Sequence, residues 1–249
     1  MSPLEHSSVI FVCVFASAML GVWLRGVLPA SHLDAETKDL VKLGVGLIGT
    51  MAALLLGLLV ASAKSAYDVR SNELMQMTAS TILLDRSLKH YGPETGEMRR
   101  MLKISVARMI DQFWPKDGSG GSNLSLTGGE TLFDELQALV PHSDAQRTLQ
   151  SQAESIAISV GQTRLLLFAQ SGTSVSAPFL VVVVFWLSIL FLSFGLFAPR
   201  NATAIITLLL AAISVAGALF LILELDHPFS GLIQISSAPL HNALSVLGK

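Results

Sequence analysis

The sequence holds one cysteine in 249 residues, Cys13, and it sits inside an apolar run. A single thiol forms no intrachain disulfide and assembles no thiolate metal site, so cysteine usage says nothing about redox compartment. The six histidines are scattered, and none has a second histidine at the i+4 spacing of a zinc-binding helix. Charge is scarce as well: 14% of residues are ionised, and the formal net charge is -2, which leaves no basic face for a nucleic acid. There is no phosphate-binding loop, no dinucleotide fingerprint and no nucleophile elbow. No pair of carboxylates and no nucleophile with a base stands at useful spacing, so the reading is of a protein that is not an enzyme, with no catalytic residue, cofactor or metal. What the chain has instead is apolar side chains, 51% of the total, and a mean hydropathy of +0.61. That is too apolar for an ordinary soluble domain and predicts an integral membrane protein.

One stretch organises the rest: Leu40 to Tyr67, LVKLGVGLIGTMAALLLGLLVASAKSAY. Between Leu43 and Ala63 it carries no ionisable side chain, and at about 1.5 Å per helical residue that run covers roughly 30 Å, the thickness of a bilayer core. Its glycines would weaken a helix in water, an objection with less force in lipid. Gly46, Thr50, Ala53, Gly57, Ala61 and Lys64 share one face at about 100° per residue, a stripe of small side chains ending in a cation. Two readings fit the stripe: close helix packing of the small-xxx-small kind, or a helix facing a narrow axis shared between subunits.

The first apolar segment runs from about Ser8 to Leu28 and stops at Pro29. Ala16-Ser17-Ala18 imitates a signal-peptidase site, but Glu5 and the absence of lysine or arginine in MSPLEH argue for a retained helix. Trp23 and Arg25 suit a membrane boundary. Ser31-His32-Leu33-Asp34 and Asp34-Ala35-Glu36 are placed to start the second helix. Past the second span no glycine or proline occurs between Ala61 and Tyr91, which predicts a helix continuing out of the membrane. Leu74, Met77, Thr81, Leu84, Leu88 and Tyr91 form its packing seam, and Gly92-Pro93 ends it. A further helix over about Glu94 to Phe113 presents Met98, Leu102, Val106, Met109 and Phe113. The segment PKDGSGGSNLSLTGGE, near 115–129, reads as a flexible loop, with Asn123-Leu124-Ser125 a glycosylation sequon in form only. A short helix near Glu130 to Val140 and a longer one capped by Ser143, with Leu149, Ala153, Ile156, Val160 and Leu167 along it, complete the region. Gly172 and Pro178 mark the return to the membrane, where two more spans, Ala177 to Phe197 and Ala202 to Leu223, form an antiparallel hairpin.

The organisation expected is thus all-α: transmembrane helices in 1–63 and 177–223, a cytosolic helical bundle over 64–176 and a cytosolic tail over 224–249. Four spans put both termini on one side. Basic residues barely favour an orientation, and the short polar leader before an uncleaved first helix places both termini in the cytoplasm. In the tail, Glu224 and Asp226 stand at a helix C-terminus, where the dipole favours cations. Either they are solvated at the interface, or they form a weak cation site or pair with Lys64 or Arg70; two carboxylates are fewer than calcium wants.

The whole chain resembles the bacterial bestrophin-like family of four-span membrane proteins, chiefly through DLVKLGVGLIGTMAALLLGLLVASAKSAYD and LELDHPFSGLIQISSAPL. More distantly it is similar to the bestrophin ion channels. Leu56-Gly57-Leu58 followed by Val60 resembles their second-span Leu-Gly-Phe-Tyr-Val, and Asp226 to Gly231 resembles their acidic-Pro-Phe-Gly segment. The resemblance implies a homo-oligomer, a pentamer, in the bacterial inner membrane, with the second helix lining a central pore for small inorganic ions. Carried over by position, the narrow neck falls on Thr50, Leu54 and Leu58, where Thr50 is a polar departure from an apolar ring. Lys42 and Lys64 would gather anions at the two mouths, and Asp68 would offset Lys64. Gly231 is followed by Leu232-Ile233-Gln234-Ile235 rather than by acids, so the resemblance carries no calcium gating. A non-conducting helical scaffold anchored in the membrane is the alternative.

Overall fold

The computed structural model describes residues 3–29, 34–114, 127–170 and 177–249. Its eight α-helices among these residues are α1 Pro3–Val27, α2 Ala35–Tyr91, α3 Gly96–Phe113, α4 Thr127–Gln137, α5 Asp144–Ala169, α6 Ala177–Phe197, α7 Ala202–Leu225 and α8 Ala238–Val246. No strand occurs among the described residues, so the protein is all-α there. Four helices, α1, α2, α6 and α7, are long and apolar enough to cross a membrane. The chain divides into two compact units, residues 1–66 with 173–226, and residues 67–172 with 227–249.

The first unit holds α1, the opening part of α2, α6 and α7. Helix is the form an apolar chain takes where no water can satisfy its backbone. Between such helices the apolar effect is weak, because lipid tails are as apolar as leucine, and close van der Waals fit decides which faces meet. On α1 the inward positions are Ser7, Ile10, Val14, Ala18 and Gly21, at spacings of three or four. Helix α6 answers with Val183, Leu187, Leu190, Phe191 and Gly195. A Cβ on Gly21 would collide with Leu192 O and lie 2.8 Å from Leu196 N, and one on Gly195 would collide with Ala18 O. The two helices therefore run in the same direction and touch backbone to backbone. At their common end the Arg25 guanidinium donates to Ala198 O, just past α6, and Arg200 donates to Val22 O of α1 across 3.4 Å, so a cation of each segment is tied to a carbonyl of the other. Helix α1 runs unbroken through Ala16-Ser17-Ala18, with Val14 and Ala18 fully buried. Trp23 is 61% exposed.

The second unit is built on the rest of α2. Leu74, Met77, Thr81, Leu84, Leu88 and Tyr91, the seam legible in the sequence, are all buried. They meet Met98, Leu102, Val106 and Met109 of α3, Leu132 and Leu136 of α4, and Ala153 and Leu167 of α5. Each fully buried leucine there contributes roughly 1.5–3 kcal/mol relative to exposure in water. Gly92 ends α2 with φ 146, a conformation L side chains rarely adopt. Thr95, fully buried, then donates its hydroxyl to Leu88 O at 2.6 Å, meeting one of the terminal carbonyls of α2. Because Pro93–Thr95 forms a tight 3-10 turn, α3 starts at Gly96 rather than near Glu94. Ser143 caps α5, its hydroxyl accepting from Gln146 N at 3.2 Å.

Two expectations need correcting or setting aside. The loop expected near 115–129 is shorter at its far end, since Thr127, Gly128 and Gly129 already belong to α4. The burial of Leu132 and Leu136 in the core offsets the poor helix propensity of glycine, about 1 kcal/mol each. The remainder of that loop with its sequon, the starting residues Ser31, His32 and Leu33, and Gly172 lie outside the described residues. Asp34 does start α2, its Oδ1 accepting from Thr37 N at 2.8 Å.

Candidate functional site

The site residues expected on α2 lie on the side of that helix which the protomer leaves open. Ala52, Leu59 and Ala63 are buried in the core of the first unit, with Val45, Ile48, Leu55 and Leu56 packed beside them. About half a turn away, Gly46, Thr50, Ala53, Leu54, Gly57, Leu58, Ala61 and Lys64 are all exposed. A Cβ added to Gly46 or Gly57 would meet nothing within 4 Å. Of its most apolar 18-residue stretch α2 buries 11%, against 28% in each of the other three membrane helices. Leu54 is 76% exposed and Leu58 62%. Among the described residues, then, the small stripe stays exposed, with open space beside Gly46 and Gly57.

Thr50 is less polar toward that side than its name suggests. Its hydroxyl donates back along its own helix, with Gly46 O at 3.1 Å and Leu47 O at 2.7 Å. With the donor engaged, Thr50, Leu54 and Leu58 give a ladder of one weakly polar and two apolar side chains, about 6 Å apart along the axis.

The charges are arranged differently from a simple pair of cationic mouths. Lys42 lies 2.9 Å from Asp39 Oδ1, so its charge is largely offset by a neighbour one turn earlier. Lys64 and Asp68 are both exposed, one turn apart on α2. Arg70 is buried and donates to Gln170 O, the C-cap carbonyl of α5, at 2.5 Å. Glu224 and Asp226 are buried too, 2% and 3% exposed, which overturns the reading of two carboxylates solvated at the interface. The Asp226 backbone closes α7 by donating to Glu224 O, holding both residues in the last turn rather than in a loose tail. Among the described residues no three His, Cys, Asp or Glu side chains come together as a metal site would require.

A family model described as a bestrophin-like domain matches residues 12–240. The chain belongs to the bestrophin-like family. No curated protein and no solved structure matches it. In this bestrophin-like protein residues 227–235, the middle of the second sequence motif, form an ordered turn of the second unit. Ser230 N donates to His227 O at 3.2 Å, Ile235 N to Pro228 O at 2.7 Å, and Gly231 takes φ 90. The Phe229 ring lies 4.7 Å from that of Phe113 and 5.4 Å from that of Trp114, edge to face with the latter. Trp114 Nε1 donates to Ile235 O at 3.0 Å. Composition could not have found these partners, since the residues that hold the motif in place stand more than a hundred positions before it.

Proposed function

We propose that copies of this bestrophin-like chain, five by the family resemblance, assemble about an axis lined by the open side of α2 and pass small inorganic ions, with anions favoured. The observation that carries this reading is the uncovered stripe itself: the least buried of the four membrane helices is also the one with a face of glycine, alanine and threonine. Small side chains let symmetry-related backbones approach closely, and Leu54 and Leu58 would then form apolar rings that hold water poorly and limit flow. The back-bonded hydroxyl of Thr50 is compatible with a third ring of similar character. In this arrangement the protein sits in the inner membrane with both termini and the second unit in the cytoplasm.

Planar-bilayer recording of the purified protein tests the proposal, with wild type beside Leu54→Ala and Leu58→Ala, and with oligomeric mass measured in detergent. Shortening either leucine widens and wets the neck, so conductance rises. Absence of current from folded oligomers would leave the non-conducting scaffold. Current unaffected by both substitutions would put the narrowest point elsewhere, and a mass of one or two copies would exclude the central axis.

A further inference from the structure

Two rows of side chains on the surface of the second unit match one another. On α2 the row is Met75, Ala79, Leu83 and Arg86, within about 80° of arc; on α5 it is Leu165, Gly161, Ile158 and Glu154, within about 60°. Met75, Leu83, Ile158 and Leu165 are each 47–53% exposed. Ala79 and Gly161 are exposed as well, and a Cβ on Gly161 would meet nothing within 4 Å. Arg86 is exposed and Glu154 partly so, and among the described residues neither makes an ion pair. The acid next to Arg86 in the chain, Asp85, is forked onto Arg99 with distances of 2.9 and 3.0 Å.

Within this unit α5 runs antiparallel to α2, and the register of the two is tied at both ends. Arg70 donates to Gln170 O at 2.5 Å, and Gln146 Nε2 donates to Tyr91 O at 3.0 Å. Counted from the first of these bonds, Met75 and Leu165 both stand five residues in, Ala79 and Gly161 nine, Leu83 and Ile158 thirteen and twelve, and Arg86 and Glu154 sixteen. At about 1.5 Å per residue, each pair lies at nearly the same height along the unit. Both rows therefore read large apolar, small, large apolar, charged in the same direction, and the two charges are opposite. Rotation about an axis parallel to α2 preserves height, so copies related in this way can set each apolar residue of one row beside an apolar residue of the other, and cation beside anion.

We propose that the α2 row of one copy docks on the α5 row of the next, a head-to-tail contact between second units in which Leu83 packs beside Ile158 and Arg86 pairs with Glu154. The contact rests on the reading that this chain assembles with itself, and adds to it a second surface, outside the apolar spans, with the residues that select the partner. Charge complementarity identifies the occupant as a second copy, because each row carries at the same height the charge that the other needs. Docking removes four half-exposed apolar side chains from water, while Ala79 and Gly161 let the two helices approach. The ion pair fixes the register, since a slip of one turn would leave both charges against apolar neighbours.

The test is disulfide cross-linking of the purified full-length protein, read as covalent multimers on a denaturing gel, with Cys13→Ser as the background because Cys13 is exposed. Leu83→Cys/Ile158→Cys gives multimers on oxidation, and Leu83→Cys or Ile158→Cys alone gives none. Added to the pair of cysteines, Arg86→Glu or Glu154→Arg sets like charges together and lowers the cross-linking rate by about tenfold or more, and the two reversals combined restore it. Circular dichroism checks that each variant keeps its helix content. Multimers from either single cysteine, a disulfide that closes only within one copy, or a rate unmoved by the charge reversals overturns the contact. If the wild type then keeps its oligomeric mass, assembly through the open side of α2 stands without it. A wild-type mass of one copy removes that assembly and this contact together.

Discussion

Gly21 of α1 and Gly195 of α6 meet at a contact with no room for a methyl group on either side. The obstructing atoms are backbone, Leu192 O and Ala18 O, and a helix backbone cannot step aside as a flexible side chain does. Gly21→Ala and Gly195→Ala are each expected to push the two helices apart, costing roughly 1–3 kcal/mol or more despite the better helix propensity of alanine. Thermal unfolding in detergent, followed by far-ultraviolet circular dichroism, measures this. Equal stability of both variants and wild type would contradict the backbone contact.

The open side of α2 should behave in the opposite way. Gly46→Leu and Gly57→Leu place a large side chain where nothing lies within 4 Å, so helix content and protomer folding are expected to persist while assembly through this face is lost. Circular dichroism and oligomeric mass, read on one sample, separate the two effects. Loss of helix content in step with loss of mass would show that the face is covered inside the protomer.

Asp85 and Arg99 form a largely buried ion pair in the second unit, their side chains 7% and 15% exposed. The hydrogen bond to Asp85, with that carboxylate's charge beside it, holds the Arg99 guanidinium above its ordinary range. Arg99→Leu leaves the Asp85 carboxylate buried with a distant Gly248 N–H at 3.4 Å. That variant should lose about 3–5 kcal/mol, and Asp85→Leu/Arg99→Leu should recover most of the loss. Denaturant titration of the three proteins tests it; a double variant no more stable than Arg99→Leu would contradict the explanation.

The Tyr91 ring is 5% exposed, and its buried hydroxyl has no hydrogen-bond partner among the described residues. Tyr91→Phe therefore removes an unsatisfied polar atom and should stabilise the fold by about 1 kcal/mol at neutral pH. Burial first, and then the Glu94 carboxylate, raise the phenol above its ordinary value. Above pH about 10 the unfolded chain has released a proton that the folded one keeps, so wild-type stability falls with rising pH until the folded phenol also ionises. The Phe variant lacks this component, and the gap between the two proteins should widen above pH 10. A constant gap across that range would mean that the ring is not buried as described.

The sequence by itself determined the membrane spans, because a bilayer demands an unbroken apolar run of a set length and such a run is visible residue by residue. It determined the seam from Leu74 to Tyr91 and that of α3 for a related reason: a helix with one wet side repeats its apolar residues every three or four positions. It also placed the stop at Gly92 and the cap at Ser143, where local backbone chemistry is sufficient. The tertiary structure alone decided which side of α2 is covered, since a span that is apolar all round carries no periodic signal of its neighbours. The same holds for Gly21 against Gly195, for Arg25 at Ala198 O, and for the Phe113, Trp114 and Phe229 cluster. In each the partners are far apart in the chain, and only the folded backbone brings them together. The burial of Glu224 and Asp226 belongs to this second class: their place at the end of an apolar helix is written in the sequence, but that both are buried shows only in the folded chain.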